Sequence, residues 1–186
     1  MKKLVIITAI IVSACFLNNG KTFAQDKSNV VTLSVSNLAL ATPTVYYERV
    51  LNEKTSAKLG VFFTGAKVST TKFSGLGLMP EYRIYPGKKG APTGFYFAPF
   101  LKYTSFSLSE SSTNSEMTLS GFGGGALIGV QTGKSFKFDF FFGPSFISYS
   151  PKFEGLATAA DFGAGFADND GLIIGIRFGT SIGFAF

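Results

Sequence analysis

The sequence predicts an all-β fold: an eight-stranded antiparallel up-and-down transmembrane β-barrel, preceded by a cleaved signal peptide. Three observations predict it. The chain opens on an export signal, its body alternates bulky apolar with small or polar residues at period two, and it ends on an aromatic side chain with no polar tail. The composition agrees, because 22 Phe, 22 Gly and 7 Tyr with no Trp and no His suit a barrel in lipid better than a water-soluble enzyme.

The export signal comes first along the chain. Lys2 and Lys3 precede an apolar run over 4–15, and a polar stretch over 18–21 leads into Thr22-Phe23-Ala24-Gln25. That order is a secretory signal peptide, with the small side chains of Thr22 and Ala24 placing cleavage between Ala24 and Gln25. The apolar run of about 12 residues is too short for a membrane helix, which needs ~20. Val12-Ser13-Ala14-Cys15 also fits a lipobox, in which an acylated Cys15 becomes the mature N-terminus. The competing reading makes Cys15 one more apolar residue of the leader. Cys15 is the single cysteine, so no intramolecular disulfide holds the body together. The division is 1–24 signal peptide and 25–186 barrel domain.

Cleavage removes Lys2, Lys3 and Lys21 and no acid, so the net charge falls from +6 to +3. What remains has no basic stripe, only the doublet Lys88-Lys89 in a turn, and nucleic acid is excluded as a partner.

The same period-two test along the body gives strands over 29–40, 43–51, 55–66, 73–86, 94–108, 116–130, 135–149 and 171–186. Eight is an even number that can close. In the fifth, Phe95, Phe97, Pro99, Leu101 and Tyr103 alternate with Tyr96, Ala98, Phe100 and Lys102. In the seventh, Phe136, Phe138, Phe140 and Phe142 alternate with Lys137, Asp139, Phe141 and Gly143. In the last, Leu172, Ile174, Ile176, Phe178, Thr180, Ile182, Phe184 and Phe186 alternate with small residues and the single charge of Arg177. Successive strand side chains point to opposite faces, so the bulky face fits lipid and the small face fits a cramped lumen.

The connections fit a periplasmic N-terminus. Asn52-Glu53-Lys54 and Thr132-Gly133-Lys134 are tight, and the Pro- and Gly-rich link over 86–92 is turn-forming. The segments near 67–72, 109–116 and 151–170 are then extracellular. Tyr82, Phe95, Phe136, Phe184 and Phe186 face outward at the periplasmic end as an aromatic girdle. Arg49, outward beside a turn, can snorkel to head groups. Pro80 and Pro99, read as facing one another, and Pro144 fall inside strands and call for a local irregularity or bulge, because a closed barrel has no free edge to hide a missing donor.

Three segments carry a resemblance: Leu78-Met79-Pro80-Glu81-Tyr82-Arg83-Ile84-Tyr85-Pro86, Thr44-Val45-Tyr46-Tyr47-Glu48-Arg49, and the run over 94–103. Over residues 30–108 the chain resembles a family of small bacterial outer-membrane proteins catalogued only as a domain of unknown function. The resemblance implies a Gram-negative outer-membrane barrel distantly similar to the OmpA transmembrane domain and OmpX-like proteins. It implies no activity and carries over no functional residue.

Eight inward polar residues form the one constellation with chemical potential: Glu48, Lys58, Glu81, Arg83, Lys102, Lys137, Asp139 and Arg177. One reading is a binding or proton-relay site in the lumen. The other is structural, since charges in a narrow lumen must pair to offset their desolvation. Pairing Leu51 with Thr55 across the first tight turn sets Glu48 opposite Lys58 and predicts an ion pair between them. Side chains fill the interior of an eight-stranded barrel, which excludes a solute pore.

The absence of histidine removes the usual Ser-His and Asp-His bases, and no catalytic residue is assigned. Asp168-Asn169-Asp170-Gly171 has some oxygen ligands of a calcium turn without the spacing of a full loop, so no metal or cofactor is assigned. Phe184 and Phe186 are the candidate C-terminal signal for the barrel assembly machinery, and outer-membrane lipid is the other expected partner. Three functional readings follow in order: a structural or surface-interaction barrel in the cell outer membrane, a lipid-modifying barrel enzyme, and a lipid-anchored or soluble periplasmic β-barrel processed at Cys15.

Overall fold

A computed structural model describes residues 27–39, 41–68, 71–110, 115–154 and 171–186. Eight antiparallel strands close into one barrel in chain order. They are β1 (Asn29–Ser34), β2 (Thr44–Asn52), β3 (Thr55–Val68), β4 (Thr71–Ile84), β5 (Gly94–Glu110), β6 (Ser115–Thr132), β7 (Phe136–Glu154) and β8 (Gly171–Ala185), with one short helix, α1 (Val35–Ala39), after β1. The all-β up-and-down barrel expected from the sequence is therefore the fold. The signal peptide, its cleavage site at Ala24 and Gln25, Cys15 and the acidic turn at Asp168 lie outside the described residues.

Side-chain parity builds the two faces. Along β4 the buried positions alternate strictly with exposed ones from Gly75 to Arg83. Phe138, Phe140 and Phe142 on β7 are 44, 55 and 57 % exposed, whereas Lys137 and Asp139 between them are 3 and 0 % exposed. The outer wall is thus the apolar face and the interior the polar one.

The interior is packed by a cross-strand rule. Each of six inward aromatics stands directly opposite a glycine: Tyr46 opposite Gly60, Phe62 opposite Gly77, Phe106 opposite Gly75, Tyr96 opposite Gly129 and Phe100 opposite Gly125, and Phe141 opposite Gly179. A ring laid across the ladder needs the space that a Cβ would take, and glycine supplies it. At Gly129, for example, a Cβ would sit 2.4 Å from Tyr96 Cζ. The rings form two buried clusters, one of Tyr85, Tyr96, Ala98, Phe100, Leu127 and Phe141 and one of Tyr46, Phe62 and Met79.

Closure depends on the chain ends. Asn29 N–H donates to Phe186 O at 3.0 Å, and Phe186 N–H donates to Asn29 O at 2.8 Å. The ends and the connections at 53–54, 85–93 and 133–135 share one rim, called here the turn end; α1 and the longer strand tips mark the opposite, loop end.

Four details differ from the sequence reading. The first strand stops at Ser34, not at residue 40, and α1 takes its place over Val35–Ala39. Ser34 Oγ accepts the Asn37 N–H at 3.3 Å, a helix-starting cap, and Asn37 Nδ2 donates to Thr44 Oγ1 at 2.8 Å, fixing the turn back into β2. β3, β5 and β7 run on to Val68, Glu110 and Glu154, so most of the segments expected as outer loops at 67–72 and 109–116 are strand.

The prolines interrupt ladders without shifting them. In the β4–β5 seam, pairing jumps from Leu78↔Tyr103 to Glu81↔Phe100 and then to Ile84↔Phe97. At that register Pro80 falls opposite Leu101 and Pro99 opposite Tyr82, so the two are staggered by one ladder step and do not face each other. Pro144 leaves a similar gap in β6–β7, between Gly125↔Ser145 and Ile128↔Phe142. The register shift lies instead in the first hairpin, between Val50 and Asn52.

Candidate functional site

The polar residues of the turn-end half meet in one cluster. Five strands supply it: β2 gives Glu48, β3 Lys58, β4 Glu81 and Arg83, β7 Asp139, and β8 Arg177. Inward parity brings them together: Glu48, Lys58, Glu81, Arg83 and Asp139 sit a few residues from the same rim, and Arg177, higher on β8, reaches down to Glu81.

Arg83 is the hub. Its Nη2 lies 2.8 Å from Asp139 Oδ2 and 3.2 Å from Glu81 Oε2, and its Nη1 lies 3.3 Å from Glu48 Oε2 and 2.6 Å from Gln131 Oε1. The guanidinium also stacks 4.1 Å from the centre of the Tyr96 ring. Lys58 Nζ binds Asp139 Oδ2 at 2.7 Å, and Arg177 Nη2 binds Glu81 Oε1 at 2.8 Å. Three carboxylates thus face three cations, which is the balance a desolvated cluster requires.

Neutral donors occupy remaining carboxylate lone pairs. Ser56 Oγ and Tyr85 Oη donate to Glu48 Oε1 at 2.6 and 2.8 Å, and Tyr96 Oη donates to Asp139 Oδ1 at 2.8 Å. Every carboxylate here already accepts from a cation. None is left as a free base facing an open pocket, and the arrangement is that of a structural plug.

The expected Glu48–Lys58 ion pair does not form. The two residues are cross-strand partners as predicted, but Lys58 reaches across the lumen to Asp139 and Glu48 turns to Arg83 and Tyr85. A lumen brings strands from its far side within reach of a long side chain, and local pairing gives way to it.

Two of the eight predicted residues stand outside the cluster. Lys137 is buried at the turn end, donating to Thr93 Oγ1 at 2.7 Å and to the carbonyls of Gly133 and Pro92 at 2.8 and 3.3 Å. It ties two connections together. Lys102 sits half-buried toward the loop end, 5.9 Å from the Phe62 ring centre, and joins no ion pair among the described residues. The sequence reading missed Gln131, Tyr85 and Tyr96. Gln131 shares the parity of Leu127 and Gly129, and β6 runs two residues past its expected end at 130, to Thr132.

Among the described residues no group of three His, Cys, Asp or Glu side chains is placed to hold a metal ion. The geometry defines a class: a closed eight-stranded barrel with an apolar outer wall and an ion-paired, filled interior. Comparison with family models, curated proteins and solved structures finds no match for this chain.

Proposed function

We propose that this protein is an integral barrel of the cell outer membrane of a Gram-negative bacterium, serving a structural or surface-interaction role rather than a catalytic one. The observation that carries the reading is the inversion of the two faces. Phe178 on the outer wall is 73 % exposed, while Arg83 and Asp139 inside are fully buried. In water such a wall would leave a continuous apolar surface far beyond what soluble monomers expose. In a bilayer the same wall is the solvated one, and pairing of the first strand with the last leaves neither end of the sheet free along its whole length.

Other features support the placement. Tyr82, Phe95, Phe136, Phe184 and Phe186 all stand exposed near the turn end, where an interfacial girdle belongs, and Phe136 packs edge-on against Phe138 and Phe184. Arg49 is outward within reach of the same rim. The turn end is then periplasmic, the loop end faces the exterior, and the partners are outer-membrane lipid and, through β8, the assembly machinery.

Heat-modifiable electrophoretic mobility tests the reading. The protein should sediment with the outer-membrane fraction and migrate faster unboiled than boiled. Recovery in the soluble periplasmic fraction with no mobility shift would overturn it.

A further inference from the structure

The barrel wall is uneven in height. β1 pairs with β8 only from Val30↔Ala185 to Ser34↔Ser181, while β8 runs on to Gly171. β2 pairs with β3 no farther than Thr44↔Phe62, while β3 continues to Val68. Toward the loop end, β8 and β3 therefore stand without the β1–β2 hairpin between them. Two strands are missing, so β8 and β3 stand three strand spacings apart, roughly 14 Å along the wall.

α1 closes the base of this notch. The Thr180 N–H donates to Ser36 Oγ at 3.2 Å, so the helix replaces the strand partner that β1 no longer provides. In an antiparallel strand every second residue turns both backbone groups toward the same neighbour. Phe178, Ile176 and Ile174 share the parity of Thr180, and among the described residues no strand pairs with them on that side. Irregular or unpaired backbone at membrane depth is tolerated where it borders a polar cavity.

Such a cavity lies behind the notch. It measures about 320 Å³ and is bordered by Ser36, Asn37, Lys102, Ser145 and Arg177 among others, and among the described residues no carboxylate lines it. Arg177 commits Nη2 to Glu81, but its Nη1 is buried and has no hydrogen-bond partner among the described residues. Lys102 brings a second cation, which joins no ion pair among the described residues. The outer rim is apolar, with Ile176 and Phe178 bordering the cavity and strongly exposed.

We propose that the notch is a lateral binding site for a single-chain amphiphile with an anionic head group, carboxylate or phosphate, drawn from the surrounding lipid. The head group lies against Lys102 Nζ and the side of the Arg177 guanidinium that borders the cavity, and the chain leaves through the notch along Ile176 and Phe178. Positive charge inside and apolar surface outside match the two ends of one molecule. The lipid source of the ligand rests on the membrane reading above; the binding chemistry rests on the cavity alone.

The test uses the full barrel in a neutral maltoside detergent, with palmitate as the probe. Hexadecanol supplies the chain without the charge, and acetate and inorganic phosphate supply the charge without the chain. Titration should show one saturable palmitate site, with the three comparison compounds at least about tenfold weaker. Lys102→Met should weaken palmitate binding about tenfold and Lys102→Arg should retain it. Gly175→Leu is the second variant, since a Cβ added at Gly175 meets nothing within 4 Å and the side chain would fill the cavity without disturbing the wall; it should abolish binding.

Unchanged palmitate affinity in both Lys102→Met and Gly175→Leu would overturn the proposal. So would acetate or phosphate binding as tightly as palmitate, which would make this a site for free anions. Failure of the membrane reading shows separately, as wild-type protein lacking the heat-modifiable shift whether or not it binds palmitate.

Discussion

The Arg83 guanidinium touches Glu48, Glu81 and Asp139 within 3.3 Å and is itself fully buried. Removing it would strand three carboxylates against two remaining cations in a space closed to water. Arg83→Met should therefore destabilise the barrel by ~3–5 kcal/mol, read as a lower midpoint for urea unfolding in detergent or lipid vesicles. An unchanged midpoint would mean that the cluster is hydrated and unimportant to stability. Glycines opposite rings make the second residue-scale case. At Gly60 a Cβ would approach Tyr46 Cε1 to 2.6 Å and Met79 Cε to 3.2 Å, contacts with side chains rather than backbone. Gly60→Ala should cost ~1–3 kcal/mol by overpacking. Combined with Tyr46→Leu, the cost should fall short of the sum of the two single changes, and strict additivity in that double-mutant cycle would reject the steric account.

At the scale of the element, β8 has two jobs that separate along its length. Its last residues close the barrel, Phe186 exchanging two backbone hydrogen bonds with Asn29, and its first ten residues border the notch. The side chain of Phe186 is half-exposed on the outer wall, so its packing is worth no more than the ~1.5–3 kcal/mol of one apolar side chain. Phe186→Ser keeps the backbone closure and removes the ring. If the ring is read by assembly machinery, Phe186→Ser should accumulate in the periplasm and be degraded in cells, while the purified variant refolds into detergent normally. Wild-type levels in the outer membrane would leave the ring only its packing role. α1 makes the opposite point about elements. Five residues that pattern as the end of a strand form a helix, because Ser34 caps it and Asn37 fastens it to Thr44.

On the scale of the whole molecule, the ion-paired cluster and the buried rings packed around it occupy the turn-end half of the lumen. A barrel plugged in this way should give no sustained conductance when reconstituted in planar bilayers. Stable, ohmic channels from the wild-type protein would show that the interior is hydrated along its length. The unequal wall adds a second global property: six strands are 14 to 19 residues long, counting β3 to β8, and two are only 6 and 9. The long side is enough to cross a bilayer core, which takes a tilted strand of about 9–11 residues. The short side reaches less far, and α1 closes only the base of the gap it leaves.

Parity was legible in the sequence, because a strand side chain can point only in or out and a slip of one residue exchanges the faces. That rule marked out eight strands, the outward aromatics and the inward set from Glu48 to Arg177; the tight turn added the pairing of Glu48 with Lys58, which holds although Asn52 rather than Leu51 stands opposite Thr55. Partner choice was not legible. Which carboxylate Lys58 meets depends on how far the barrel curves Asp139 toward it across the lumen, and no local spacing encodes a distance between strands 81 residues apart. The early end of β1 escaped the pattern for a related reason: helix and strand compete over a few residues, and a hydrogen bond from Asn37 to Thr44, made only once β2 is in place, decides between them. The notch follows from that decision, so the alternating sequence fixes the faces of this barrel, and the three-dimensional closure fixes where its wall is low.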